Sequence, residues 1–82
     1  MSQVRKLLQG DVMDTTESVY AFICHYIETE GYAPSQREIA QGCYLSVGNV
    51  VRYLDKLEAR GLLYREPNRP RSIRLLKPER DR

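Results

Sequence analysis

Asn49, Arg52, Tyr53 and Lys56 bring an amide, a guanidinium, a phenol and an ammonium within about two turns of helix. These heads donate hydrogen bonds, and the amide and the phenol also accept. Their chemistry is recognition of an anionic or heteroatom-rich surface rather than bond breaking. The sequence holds no acid–base pair, no nucleophile–base arrangement and no phosphate-cradling glycine loop. No catalytic residue, and so no enzyme, is expected. Cys24 and Cys43 lack a CxxC spacing, and with His25 alone they are too few for a structural zinc. They read as reduced packing residues, which suits a cytoplasmic location. No metal, cofactor or small-molecule ligand is expected.

The elements around this cluster are marked by their caps. Ser35 followed by Glu38 has the capping-box spacing, and a short helix follows with Ile39 and Ala40 inward. Gly42 is expected to end it. Ser46 caps a second, longer helix that Gly61 stops. Two helices joined by a three- to four-residue turn read as a helix-turn-helix. At 100° per residue Val47, Val50, Val51, Leu54 and Leu57 cluster on one side. Gly48, Asn49, Arg52, Tyr53, Lys56 and Arg60 fall opposite or flank them, a polar and cationic face of the kind a recognition helix shows to a major groove. An ordinary solvated helix face is the plainer alternative.

The chain's 82 residues, 41% of them hydrophobic, suit one small globular domain. No apolar run approaches the roughly 20 residues that a bilayer crossing needs, and the N-terminus lacks a signal-peptide core. The net charge of +2 is divided unevenly. Residues 1–34 carry two basic and five acidic side chains, a sum of −3; residues 35–82 carry eleven and six, a sum of +5. A basic C-terminal half points to a polyanion on one side only.

Before the short helix, Asp14 with Glu17 opens another, whose stripe of Val19, Phe22, Ile23, Tyr26 and Ile27 is core and leaves His25 exposed. Gly31 ends it, and Pro34 favours an extended run into Ser35. Residues 1–13, with Val4, Leu7 and Leu8 at helical spacing, read as a tail or a short docking helix. After Gly61 the period changes: residues 62–66 and 71–76 read as strands and Pro67-Asn-Arg-Pro70 as their turn, with Ile73 and Leu75 facing opposite to Arg74. Pro78 and the charges beyond it form a tail over residues 77–82. The fold class is therefore mainly α with a small β-hairpin, a winged helix-turn-helix made of a three-helix bundle and a two-stranded wing, with residues 14–76 as the domain. Arg65, Arg69 and Arg71 on the wing suit phosphate oxygens or a minor groove, or else keep an edge strand soluble.

Tyr32-Ala-Pro-Ser-Gln-Arg-Glu-Ile-Ala40, Lys56…Arg60-Gly61 and Ser72-Ile-Arg-Leu-Leu76 resemble the N-terminal DNA-binding domain of LexA repressors over about Thr15 to Leu76. The resemblance implies a recognition helix in the major groove, with Ser46 carried over as a contact. It also departs from the family. The turn is one residue shorter, Tyr44 stands where many such turns carry glycine, and the family's contact asparagine is Gly48, with Asn49 beside it. An acidic pair of the family is Val51 and Arg52 here, so the SOS operator does not carry over. The family's Ser–Lys protease domain has no counterpart in these 82 residues, and self-cleavage is not expected of them.

The expectation is a transcriptional regulator or its DNA-binding part, cytoplasmic or nucleoid-associated. Ser46, Gly48, Asn49 and Arg52 are its base contacts, Asn49 as reader of adenine and Arg52 of guanine or a phosphate. Ser35, Gln36, Arg37, Tyr53, Lys56, Arg65, Arg69 and Arg71 are its backbone contacts. A module this small calls for a homodimer or a partner to gain affinity, through residues 1–13 or the wing edge. The rival reading is a winged-helix module that docks to protein and leaves DNA alone.

Overall fold

A computed structural model describes residues 14–76; the expected elements in residues 1–13 and 77–82 lie outside it. Helix α1 spans Thr15–Glu30, α2 Gln36–Cys43 and α3 Val47–Ala59, and strands β1 (Leu63–Tyr64) and β2 (Arg74–Leu75) pair antiparallel. The architecture is a winged helix-turn-helix.

Each helix begins where a side chain satisfies its free N–H groups. Asp14 accepts from the Glu17 N–H, Ser35 from that of Glu38, and Ser46 from that of Asn49. At α2 the box is closed, because the Ser35 N–H donates to the Glu38 carboxylate at 2.9 Å. Gly31 and Gly61 end α1 and α3 at φ 83 and 77. After α3 the Gly61 N–H donates to Glu58 and the Leu62 N–H to Leu57, a Schellman pair that turns the chain into the wing.

Gly42 does not end α2. The helix runs on through Cys43, and Tyr44 takes the left-handed position at φ 58. The N–H groups of Tyr44 and Leu45 both donate to the Ala40 carbonyl. The reason for glycine at 42 is tertiary: a Cβ there would run into the Phe22 ring of α1. Gly42 is a contact point between helices, as Ala40 is.

The core joins Val19 and Ile23 of α1, Ile39 and Ala40 of α2, and Val50, Leu54 and Leu57 of α3. Leu63 and Ile73 add the roots of the wing. Phe22 and Ile27 pack at its edge, and Tyr26 is half-buried, with its hydroxyl donating to Glu38 at 3.0 Å. Val47, expected in the core, is 41% exposed: among the described residues none covers its side of the first turn of α3, although Val50 of the same turn is buried. His25 is half-buried rather than exposed.

The strands are two residues each, shorter than expected, in the register Leu63↔Leu75 and Tyr64↔Arg74. Pro67 and Pro70 cannot donate, and Asn68 and Arg71 have φ 62 and 56, so the ladder cannot extend toward the tip. Ser72 substitutes for it: its hydroxyl accepts from the Glu66 N–H at 2.9 Å and donates to the Glu66 carbonyl at 3.1 Å. At the open end Leu76 N–H donates to the Leu62 carbonyl at 3.0 Å.

Candidate nucleic-acid interface

α3 sets the site. Its buried stripe fixes the helix's rotation and so decides which side chains look outward. Ser46, Gly48, Asn49, Arg52 and Lys56 are all exposed. Tyr53 is half-buried against the core, and the Lys56 ammonium lies 5.5 Å from its ring centroid. Among residues 47–54 there is no acidic side chain. The Ser46 hydroxyl, which accepts from Asn49 N–H, keeps its own proton free to donate.

The wing lies along one border of this face. Gly48, Arg52 and Asp55 fall within about 60° of one another around α3. Asp55 pairs with the Arg65 guanidinium of the wing. Arg65 also stands 3.6 Å from the Glu58 carboxylate, and its N–H donates to the same group at 3.1 Å. The hairpin and the cationic helix face therefore share a side of the molecule. Arg65 is consequently not a free cation; its side chain is only 16% exposed.

Arg71 is also engaged. It donates to both Glu38 oxygens, at 2.9 and 2.8 Å, and to the Ala33 carbonyl at 3.1 Å, with its guanidinium 5.1 Å from the Tyr32 ring centroid. The Arg71 hydrogen bonds and the Ser35 N–H hold the Glu38 carboxyl at a pKa of about 2, well below its ordinary range. The Glu38 carboxylate, and after it Tyr26, raise Arg71 further. This clamp ties the wing to the N-terminus of α2. Arg69 is the wing arginine that reaches outward, 62% exposed with a loose 3.5 Å pair to Glu66. Arg74, on the outer face of β2, is exposed beside it.

Between wing and helices runs an open groove of about 770 Å³, with Ser35, Gln36 and Val51 on one side and Arg65, Arg69 and Arg71 on the other. The groove thus joins α2's N-terminus to the wing, with Val51 and Glu58 from α3; Ser46, Gly48, Asn49, Arg52, Tyr53 and Lys56 on α3's outer face do not line it. Arg37 is exposed on α2 but does not line the groove. Sequence reading missed Glu38, Asp55 and Glu58 as the anchors of the wing; their partners lie from 7 to 33 residues away, beyond any local pattern.

The other reactive groups are quiet. Cys24 and Cys43 are free and half-buried. Burial raises both thiols, Cys43 to about 11, which keeps them protonated at neutral pH. Among the described residues no three His, Cys, Asp or Glu side chains gather as metal ligands would, and no helix is long and apolar enough to cross a membrane.

Comparison with known proteins agrees with this architecture. The chain is 44% identical over 62 residues to the LexA repressor of Koribacter versatilis, covering 74% of this chain and 30% of that protein. It is 39% identical over 72 residues to the LexA repressor of Moorella thermoacetica, covering 87% and 35%. With that of Clostridium novyi it shares 43% over 65 residues, covering 78% and 32%. The chain spans about a third of the length of these curated relatives. The family model described as the LexA DNA binding domain matches residues 12–72. With its three capped helices, its wing and a match across most of its length, the chain belongs to the LexA DNA-binding domain family.

Proposed function

We propose that this chain binds double-stranded DNA sequence-specifically, as the DNA-binding part of a LexA-like transcriptional repressor. The observation that carries this is the Arg65 bridge to Asp55 and Glu58, which sets the wing alongside the exposed face of α3. A duplex can then meet both at once. In this reading α3 lies in the major groove. Asn49 reads adenine through its amide, and Arg52 takes guanine O6 and N7 or a phosphate. Ser46 donates its free hydroxyl proton, and Gly48 lets the helix backbone come close. Lys56 and Tyr53 reach phosphate, as do Ser35, Gln36 and Arg37 at the N-terminus of α2, where backbone N–H groups and the dipole favour an anion. Arg69 contacts phosphate or the minor groove from the wing. Arg65 and Arg71 act chiefly by holding the wing in place.

The cations that this reading sets against phosphate, Arg37, Lys56 and Arg69 with Arg52, give a slope of log K against log salt of roughly −3 to −4. Fluorescence anisotropy with random duplexes over a salt series measures that slope. Selection from a random pool then reads the site. Binding that is absent at low salt, or indifferent to salt, rejects the reading in favour of a protein-docking module. A single module of this size covers few base pairs, so tight binding draws on a second copy or a linked partner. Sedimentation of the chain with and without a palindromic selected duplex tests that: a one-to-one complex at saturation argues against pairing of copies.

A further inference from the structure

Three features at the start of α3 are not accounted for by packing among the described residues. Tyr44 holds a left-handed backbone, φ 58, while its side chain is 89% exposed. That conformation is unfavourable for a bulky residue, and no buried contact of the ring offsets it. Val47 is an apolar side chain left 41% exposed at the first helical position. Gly48 stands inside a helix, where glycine is a poor former, yet a Cβ at that position would meet nothing within 4 Å. Gly42 has its neighbour in Phe22; Gly48 has none.

These residues sit within positions 44–48, directly before Asn49. Three residues of chain keep Tyr44 and Val47 within about 11 Å of each other at Cα, inside the reach of a tyrosine side chain and a small ligand group between them. We propose that Tyr44 and Val47 form an apolar lip that reads the 5-methyl group of a thymine, with Gly48 bare so that the base edge can approach the helix backbone. This rests on the DNA-binding reading above and adds to it a determinant of sequence preference. The thymine methyl is the apolar mark that a base pair shows in the major groove, and contact with an apolar side chain is how it is read. Val47 lies about 140° to 160° around α3 from Arg52 and Asn49 but at the same N-terminal end, the end that a recognition helix turns to base edges. A protein partner fits less well: a stable interface takes roughly 20–30 residues a side, and the lip offers two.

The test uses the whole chain and a duplex selected by the wild-type protein. Each thymine is replaced in turn by deoxyuridine, which removes the methyl alone. At one or two positions wild-type binding weakens about three- to fivefold, the value of one buried methyl. Val47→Ala binds the thymine duplex more weakly and loses that preference. Tyr44→Gly loses part of it, while its thermal midpoint rises, because glycine takes the left-handed backbone without strain. Equal wild-type affinity for thymine and deoxyuridine at every position overturns the proposal, and so does full methyl preference in Val47→Ala. A lowered midpoint in Tyr44→Gly overturns the part given to Tyr44. Failure of any duplex to be selected is a different result: it removes DNA binding itself, and the lip with it.

Discussion

A hydrogen-bonding side chain on α3 differs from its neighbours in what its loss does. Asn49→Ala is expected to cost about 1–3 kcal/mol of binding and to relax discrimination at one base position, because an amide pairs two atoms of one base. Titration of single-base variants of a selected duplex checks this; a variant that keeps full discrimination removes Asn49 as the reader. Arg69→Ala weakens all duplexes alike and flattens the salt slope by about 1, as loss of one phosphate contact does. The two glycines of the helix pair separate in the same way. Gly48→Ala is expected to stabilise the fold by up to about 1 kcal/mol in thermal unfolding, since the new methyl meets nothing. Gly42→Ala destabilises it, since the methyl meets Phe22. A lower midpoint in Gly48→Ala would show that the site is not open.

The elements hold together through caps and one clamp. Asp14, Ser35 and Ser46, with Gly31 and Gly61, were legible in the sequence because capping is a local matter: donor and acceptor lie three or four residues apart. What was not legible is set by distant chain. Gly42 reads as a helix stop until Phe22 is placed against it. Val47 belongs to an apolar stripe by angle, but burial depends on whether another element covers that turn. Arg71 counts as a wing cation until Glu38, 33 residues earlier, is found in its fork. That clamp has a pH signature. Glu38 has its pKa lowered from 4.5 to about 2, so its contribution to stability is complete above about 4.5 and is lost as pH falls toward about 2. Arg71→Ala takes away the largest cause, and the loss then falls at higher pH. Circular dichroism against pH is expected to show acid unfolding of the variant at higher pH than the wild type; coincident transitions would mean that the clamp contributes nothing.

For the molecule as a whole, one core serves both proposed recognition surfaces. Leu63 and Ile73 root the wing among the same side chains that orient α3, so the wing's position depends on the bundle's packing. Leu57→Ala or Leu63→Ala is expected to cost about 2–5 kcal/mol in denaturant unfolding, a large share of the stability of a domain this size. A cost below about 1 kcal/mol for Leu63→Ala would mean that the wing is not rooted there. The bond from Leu76 N–H to the Leu62 carbonyl returns the described chain to its position just after α3. α3 has 13 residues, so that exit lies about 20 Å along the helix axis from Ser46. Leu76 therefore stands at the opposite end of α3 from the proposed base contacts at Ser46 and Asn49.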